Sequence, residues 1–266
     1  MTSPTANYTP AAELVLPHQT FTLESRVLGE TRRINLYTPP GYQAAGEQRY
    51  PILYMPDGGL AEDFPHVILT VDEAIRAGQL RPLIVIGIEN TERRRDMTGP
   101  TDVKSDRTIA PHVGGSANFR AFIRDELMPD IRERVRGNGE TGIMGESLAG
   151  LFVVETFLLE PALFDHYIAM SPSLWWSQQA LLRSAEKKLR AMPVKPTTFF
   201  LTVAGDDEID NAVATLASTL RAAAPPTLTW WFEPMPGEFH RTIYRASSPN
   251  ALRKTFPLAA ADSQMR

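Results

Sequence analysis

Gly145-Glu146-Ser147-Leu148-Ala149-Gly150 places a serine between small residues two positions before it and two after. The stretch lies where a short apolar run, Thr141-Gly142-Ile143-Met144, hands over to a helical run from Leu151 to Leu159. A turn of this kind holds the hydroxyl out at a helix N-terminus, where N–H groups and the helix dipole favour a developing negative charge. A side chain much larger than a methyl at Gly145 or Ala149 is expected to collide with the neighbouring backbone. A serine hydroxyl is a poor nucleophile at neutral pH, so it needs a base to take its proton and a third group to orient that base.

For a nucleophile on a strand-to-helix turn, the order along the chain is serine, acid, histidine. Two histidines follow Ser147. His166 opens the next strand, comes too early in that order and reads as structural. His240 ends Pro236-Gly237-Glu238-Phe239-His240, a loop just past the last strand. Loops at the carboxyl ends of parallel strands are where such chemistry gathers, so His240 is the expected base. The acid belongs on the loop after the penultimate strand, Ala204-Gly205-Asp206-Asp207-Glu208-Ile209-Asp210. Four acids crowd this loop, and some of them serve as caps for the next helix. Glu208 has the longest reach to an imidazole, while Asp207 and Asp210 remain open as alternatives. The oxyanion needs two backbone donors: Leu148, next to the nucleophile, and a residue of Asp57-Gly58-Gly59 after the third strand, with Gly59 preferred.

The elements that must position these groups are legible from periodicity. Gln19–Leu28 and Thr31–Tyr37 alternate apolar and polar around Gly29-Glu30 and read as an antiparallel hairpin. Tyr50–Met55 and Leu83–Ile86 are apolar runs typical of buried strands. Helical spacing occupies His66–Ala77 and Ala117–Val135, the second with Ser116 as N-cap and a kink expected at Pro129. After the serine turn come a strand at Tyr167–Met170, a helix around Gln178–Leu189 and a strand at Thr197–Ala204. A helix near Asn211–Ala223, a strand at Thr227–Phe232 and a terminal helix at Asn250–Phe256 follow. Strands alternating with helices imply an α/β protein with a mainly parallel sheet, covered on both faces and entered through the antiparallel hairpin. Residues 1–18, rich in Pro, Ala and Thr, read as an extended segment, and 19–266 as one domain.

Composition narrows the function. The 266 residues are 43% hydrophobic, enough for one large core, and the net charge of −4 gives no reason to expect nucleic acid or an anionic membrane as partner. There is no cysteine, which removes disulfides and thiolate nucleophiles and suits a reducing, cytoplasmic setting. No apolar run is long enough to span a bilayer. His18, His66 and His112 show no metal-ligand spacing, and Gly114-Gly115 lacks the neighbours of a phosphate loop.

Several further stretches carry a family likeness. These are Leu53-Tyr54-Met55-Pro56-Asp57-Gly58-Gly59, Leu83-Ile84-Val85-Ile86-Gly87-Ile88-Glu89-Asn90 and Arg93-Arg94-Arg95-Asp96-Met97-Thr98. The serine turn, Ser171-Pro172-Ser173-Leu174-Trp175-Trp176 and Pro236–His240 complete the set. On these residues the chain resembles the putative-esterase branch of the α/β-hydrolases. That branch holds siderophore trilactone esterases, feruloyl esterases, S-formylglutathione hydrolase and the mycolyltransferases. The Arg-rich stretch and the double tryptophan look most like the siderophore-esterase subgroup.

The resemblance implies the α/β-hydrolase fold, with Ser147 as nucleophile, His240 as base and Glu208 as acid. It also implies Gly59 and Leu148 as oxyanion donors and a reaction without a cofactor. Ala149 replaces the usual second elbow glycine, and Phe239 stands where a polar residue is commoner. The activity expected is hydrolysis of a small-molecule carboxylic ester through an acyl-enzyme, on catecholate trilactones or related esters. Alternatives on the same fold are a feruloyl or acetyl esterase, an acyltransferase using the same triad, and a non-catalytic binding protein.

Arg93, Arg94 and Arg95 follow the fourth strand. They suit recognition of an anionic or catecholate acyl group, or else form a salt-bridged loop with Glu89, Glu92 and Asp96. Trp175 and Trp176 are candidates for an aromatic-lined acyl pocket, with core packing as the rival reading. Trp230 and Trp231, on the last strand, read as core.

Overall fold

The computed structural model describes residues 16–205 and 210–258. An antiparallel hairpin of β1 (Gln19–Ser25) and β2 (Glu30–Tyr37) leads in, turning through Gly29 at φ 69°. Next come β3 (Tyr50–Pro56), α1 (Phe64–Arg76), β4 (Ile84–Ile88) and the short α2 (Arg93–Asp96). A helical stretch with α3 (Ser116–Phe122) and α4 (Met128–Arg134) leads to β5 (Gly137–Glu146) and α5 (Ser147–Leu159). The chain continues through β6 (His166–Met170), α6 (Trp176–Arg190), β7 (Thr197–Thr202), α7 (Asp210–Ala223), β8 (Leu228–Phe232) and α8 (His240–Thr255).

The strands form one eight-stranded sheet in the order β1-β2-β4-β3-β5-β6-β7-β8. From β4 to β8 every neighbour pair is parallel, and only the hairpin strands run against their neighbours. The parallel strands carry apolar side chains toward both faces, as a doubly covered sheet requires. On one face α3 to α7 bury Phe119, Ile131, Phe152, Leu189 and Leu216. On the other, α1 and α8 bury Val67, Ile68, Ala251 and Leu252. Helix α5 is buried from Leu148 to Leu158, which matches a sequence that is apolar around the helix except at Glu155 and Thr156.

Several expectations need correction. The helix expected over Ala117–Val135 is interrupted by a wide π turn at Ile123–Leu127. Pro129 lies two residues beyond it, in the first turn of α4, where its missing N–H and bulky ring are accommodated. Ser116 is not a cap: it is the first helical residue, and its hydroxyl donates 2.5 Å to Glu155. Glu155 is itself buried against Arg120 at 2.7 Å.

The terminal helix begins at His240, ten residues before the expected start, and carries Pro249 inside it. Proline is a strong stop signal in sequence, and here it hid the first turns of α8. Helix α6 opens with Ser177, Gln178 and Gln179 at φ 51°, 51° and 63°, a left-handed turn that periodicity does not reveal. Trp230 and Trp231 are half-buried because β8 is an edge strand, each packing on a different face of the sheet.

His166 is structural as expected. Its Nε2 lies 2.6 Å from Glu140 and its Nδ1 2.8 Å from Thr198. Arg81 also donates to Glu140, at 2.7 Å. Burial alone would raise the Glu140 carboxyl, but hydrogen bonds from His166 and Arg81 bring it down to about 2. A depressed carboxyl contributes stability that is present above its unfolded value and is lost as pH falls through its folded value. Glu140→Gln is therefore expected to remove part of the acid sensitivity between pH 4.5 and about 2, read by urea unfolding at a series of pH values.

Candidate active site

Strand β5 passes into α5 with no intervening residue: Glu146 is extended at φ −118°, and Ser147 is left-handed at φ 58°. A non-glycine residue in that region is held there only by its surroundings. The sequence supplies the room. A Cβ on Gly145 would come within 2.7 Å of the Ala149 carbonyl carbon, so a methyl itself is already too large at that position, a tighter limit than expected. Gly150 would meet the Met170 carbonyl oxygen at 2.9 Å, so it lets α5 lie against the end of β6.

His240 opens α8, and its Nε2 lies 3.1 Å from Ser147 Oγ across 93 positions of sequence. Its turn is pinned by the Phe239 N–H donating 3.0 Å to Thr242 Oγ1. Phe239 is half exposed beside it, an apolar side chain at the rim. The loop expected to carry the acid approaches from β7. Gly205 donates to the Glu238 carbonyl at 3.1 Å, and any Cβ on Gly205 would meet Pro236 backbone. Gly205 thus lies against the histidine loop. Glu208, with Asp206 and Asp207, lies outside the described residues, as does the side chain of Asp210.

Two neighbours of Ser147 escaped sequence reasoning. The Ser173 hydroxyl is buried 3.4 Å from Ser147 Oγ, and its N–H donates 3.0 Å to the Ser147 carbonyl. Its position in the Ser-Pro-Ser stretch carried no chemical signal. Glu146 Oε1 lies 3.0 Å from His240 Nε2. A carboxylate immediately before Ser147 was a visible clue, because both residues sit at the same strand end.

Asp57 and Gly58-Gly59 follow β3 as expected. Asp57 is left-handed at φ 55°, buried, and gripped by Arg93 in a bidentate pair at 2.6 and 2.8 Å. Asn90 donates to it as well, at 2.5 Å. Arg93 is therefore engaged with the protein, and Arg95 pairs with Glu30, Glu92 and Asp96. These pairs are the salt-bridged alternative weighed above, with Asp57 and Glu30 as partners the sequence did not indicate. Arg94 is exposed on a groove of about 320 Å³ that also includes Arg93, Arg95 and His112. The Gly59 N–H, a proposed oxyanion donor, donates 2.7 Å to Glu62 Oε2. Burial raises the Glu62 carboxyl despite that bond.

The tryptophans separate. Trp175 is 40% exposed, whereas Trp176, expected with it as a substrate contact, is buried at 4%. The Trp176 indole N–H donates 2.8 Å to the Gly99 carbonyl. Asp106 accepts from the Ser177 N–H at 2.9 Å and from Thr101 at 2.8 Å. The long segment between α2 and α3 is thereby tied to the start of α6.

With this geometry in view, the comparisons with known proteins converge. The profile of the family described as "Putative esterase" matches residues 25–222. The chain belongs to this family. Ferri-bacillibactin esterase BesA of Bacillus subtilis is 32% identical over 157 residues, covering 52% of each chain. The siderophore enterobactin esterase of Emericella nidulans is 29% identical over 157 residues, 51% of this chain and 50% of that one. The matches thus span about half the length of these two relatives. The crystal structure of an IroE-like serine hydrolase from Shewanella oneidensis superposes with a TM-score of 0.81 at 28% identity, covering 90% of this chain and 80% of that one. The fold is that of the α/β-hydrolases. Among the described residues, no helix is long and apolar enough to cross a membrane.

Proposed function

We propose that this protein is a serine carboxylic-ester hydrolase that works through an acyl-enzyme and acts on siderophore esters of the catecholate trilactone class. The observation that carries the reading is the 3.1 Å approach of His240 Nε2 to the hydroxyl of a serine held left-handed at the head of a buried helix. His240 takes the Ser147 proton as Oγ bonds to the ester carbonyl carbon. The resulting oxyanion is held by the N–H of Leu148 and, once Glu62 releases it, by that of Gly59. Collapse breaks the bond to the leaving alcohol, which receives the proton from Nε2. Water then repeats the sequence and frees the acid.

Glu208 is assigned as the group that orients His240 from the far side of the ring, within one domain spanning 19–266. Glu208→Gln is expected to lower the rate far more than Asp207→Asn, and the reverse order would transfer the role.

The substrate class is supported by the relatives, which are named for siderophore esters, and by the exposed Trp175 and the arginine-lined groove. A panel of neutral acyl esters, a feruloyl ester and a catechol trilactone tests it. The trilactone is expected to give the highest kcat/KM; a feruloyl or simple acyl ester ahead of it would reassign the substrate. Arg93→Ala is expected to raise KM several-fold more for anionic than for neutral esters, because a cation lining the groove is lost. Equal losses would leave Arg93 only its structural pairing with Asp57.

A further inference from the structure

Among the described residues, two oxygens approach the nitrogen that must receive the serine proton. Ser147 Oγ is 3.1 Å from His240 Nε2, and Glu146 Oε1 is 3.0 Å from the same atom. We propose that Glu146 is a catalytic residue that stabilises the His240 imidazolium directly at Nε2, on the reacting side of the ring. This rests on the esterase reading above and adds a group to it.

The interaction differs between the ground state and the transition state. Before reaction, Nε2 must offer its lone pair to the Ser147 hydroxyl, and a carboxylate beside a neutral acceptor contributes little. As Ser147 attacks, the Oγ–H bond breaks and an N–H bond forms at Nε2, leaving the ring cationic. A carboxylate oxygen 3.0 Å from Nε2 then lies beside a positive ring, an ion-pair attraction that exists only once the proton has moved. An interaction stronger in the transition state than in the ground state raises kcat. The proton stays on Nε2 and passes to the leaving alkoxide, while Glu146 remains ionised throughout. It is not a base in competition with histidine.

The fold places the carboxylate firmly. Glu146 is the last residue of β5, paired in register with Met170 of β6, and its side chain is only 15% exposed. Arg93 lies close enough for Glu146 to favour its charged form. Because His240 is itself 40% exposed, solvent moderates the contact.

The test compares Glu146→Gln, which keeps the shape and removes the charge, with Glu146→Ala assayed in sodium formate against sodium chloride at equal ionic strength. Glu146→Gln is expected to lower kcat for p-nitrophenyl acetate by roughly tenfold or more with KM within about twofold. Formate is expected to restore part of the Glu146→Ala rate, which a purely structural role would not allow. Circular dichroism and active-site titration with a fluorophosphonate normalise the rates to folded enzyme. A normalised Glu146→Gln rate within about twofold of the parent overturns the proposal, as does a loss in Glu146→Ala that formate leaves untouched. Ser147→Ala run beside them separates the two readings. If it is inactive while Glu146→Gln is fully active, only the role of Glu146 falls; if it retains the parent rate, the serine reading itself falls.

Discussion

Ser147→Ala is expected to lower kcat for p-nitrophenyl acetate by about a million-fold while leaving the far-UV circular dichroism unchanged. The size follows from what is removed. The nucleophile, the proton that His240 accepts and the covalent intermediate vanish together, and only binding and oxyanion stabilisation remain. His240→Ala is expected to cost nearly as much, and the double variant little more than either single one, because the two groups work as a unit. Alanine at 147 is tolerated structurally: it carries a smaller side chain into the same left-handed position, and Gly145 keeps the space beneath it open. Retained turnover in the alanine variant would show that ester cleavage proceeds without this serine.

Gly58→Ala is expected to destabilise the protein by about 3 kcal/mol or more. A Cβ there would sit 2.2 Å from the Ile88 nitrogen and 2.3 Å from the Gly87 Cα, contacts made by backbone that has nowhere to go. The contact is reciprocal, since a Cβ on Gly87 would meet the Gly58 carbonyl oxygen at 2.5 Å. The ends of β3 and β4 therefore interlock through two glycines. The Gly58 N–H donating to Ile88 at 3.0 Å and Asn35 donating to the Gly58 carbonyl at 2.8 Å complete the lock. Gly237→Ala, with nothing within 4 Å of the added carbon, serves as the control and is expected to change stability by about 0.5 kcal/mol or less. Urea unfolding midpoints distinguish the two. Any folded Gly58→Ala protein should also lose turnover, because Gly59 and its amide move with the displaced loop.

The strands and the serine turn were legible because alternation, apolar runs and small residues around Ser147 all point the same way. The approach of His240 to Ser147 was legible from chain order and from its loop past the last strand, although its place at the head of α8 was hidden by Pro249. What escaped the sequence shares one cause: it depends on which side chains meet across loops. Glu62 reaching the Gly59 amide, Arg93 turning inward to Asp57, and Trp176 turning from Trp175 into the core are packing outcomes. No spacing rule encodes them. The π turn before Pro129 and the left-handed start of α6 belong with them, because both depart from the single helical period that sequence patterns detect.

The anchoring of the segment between α2 and α3 carries an evolutionary consequence. Its ties to α6 run through the Gly99 carbonyl and the Asp106 carboxylate, and neither touches Ser147 or His240. The stretch between those two moorings can thus be exchanged like a cassette. Residues there can change while the strand-end and loop positions of Ser147 and His240 stay as they are.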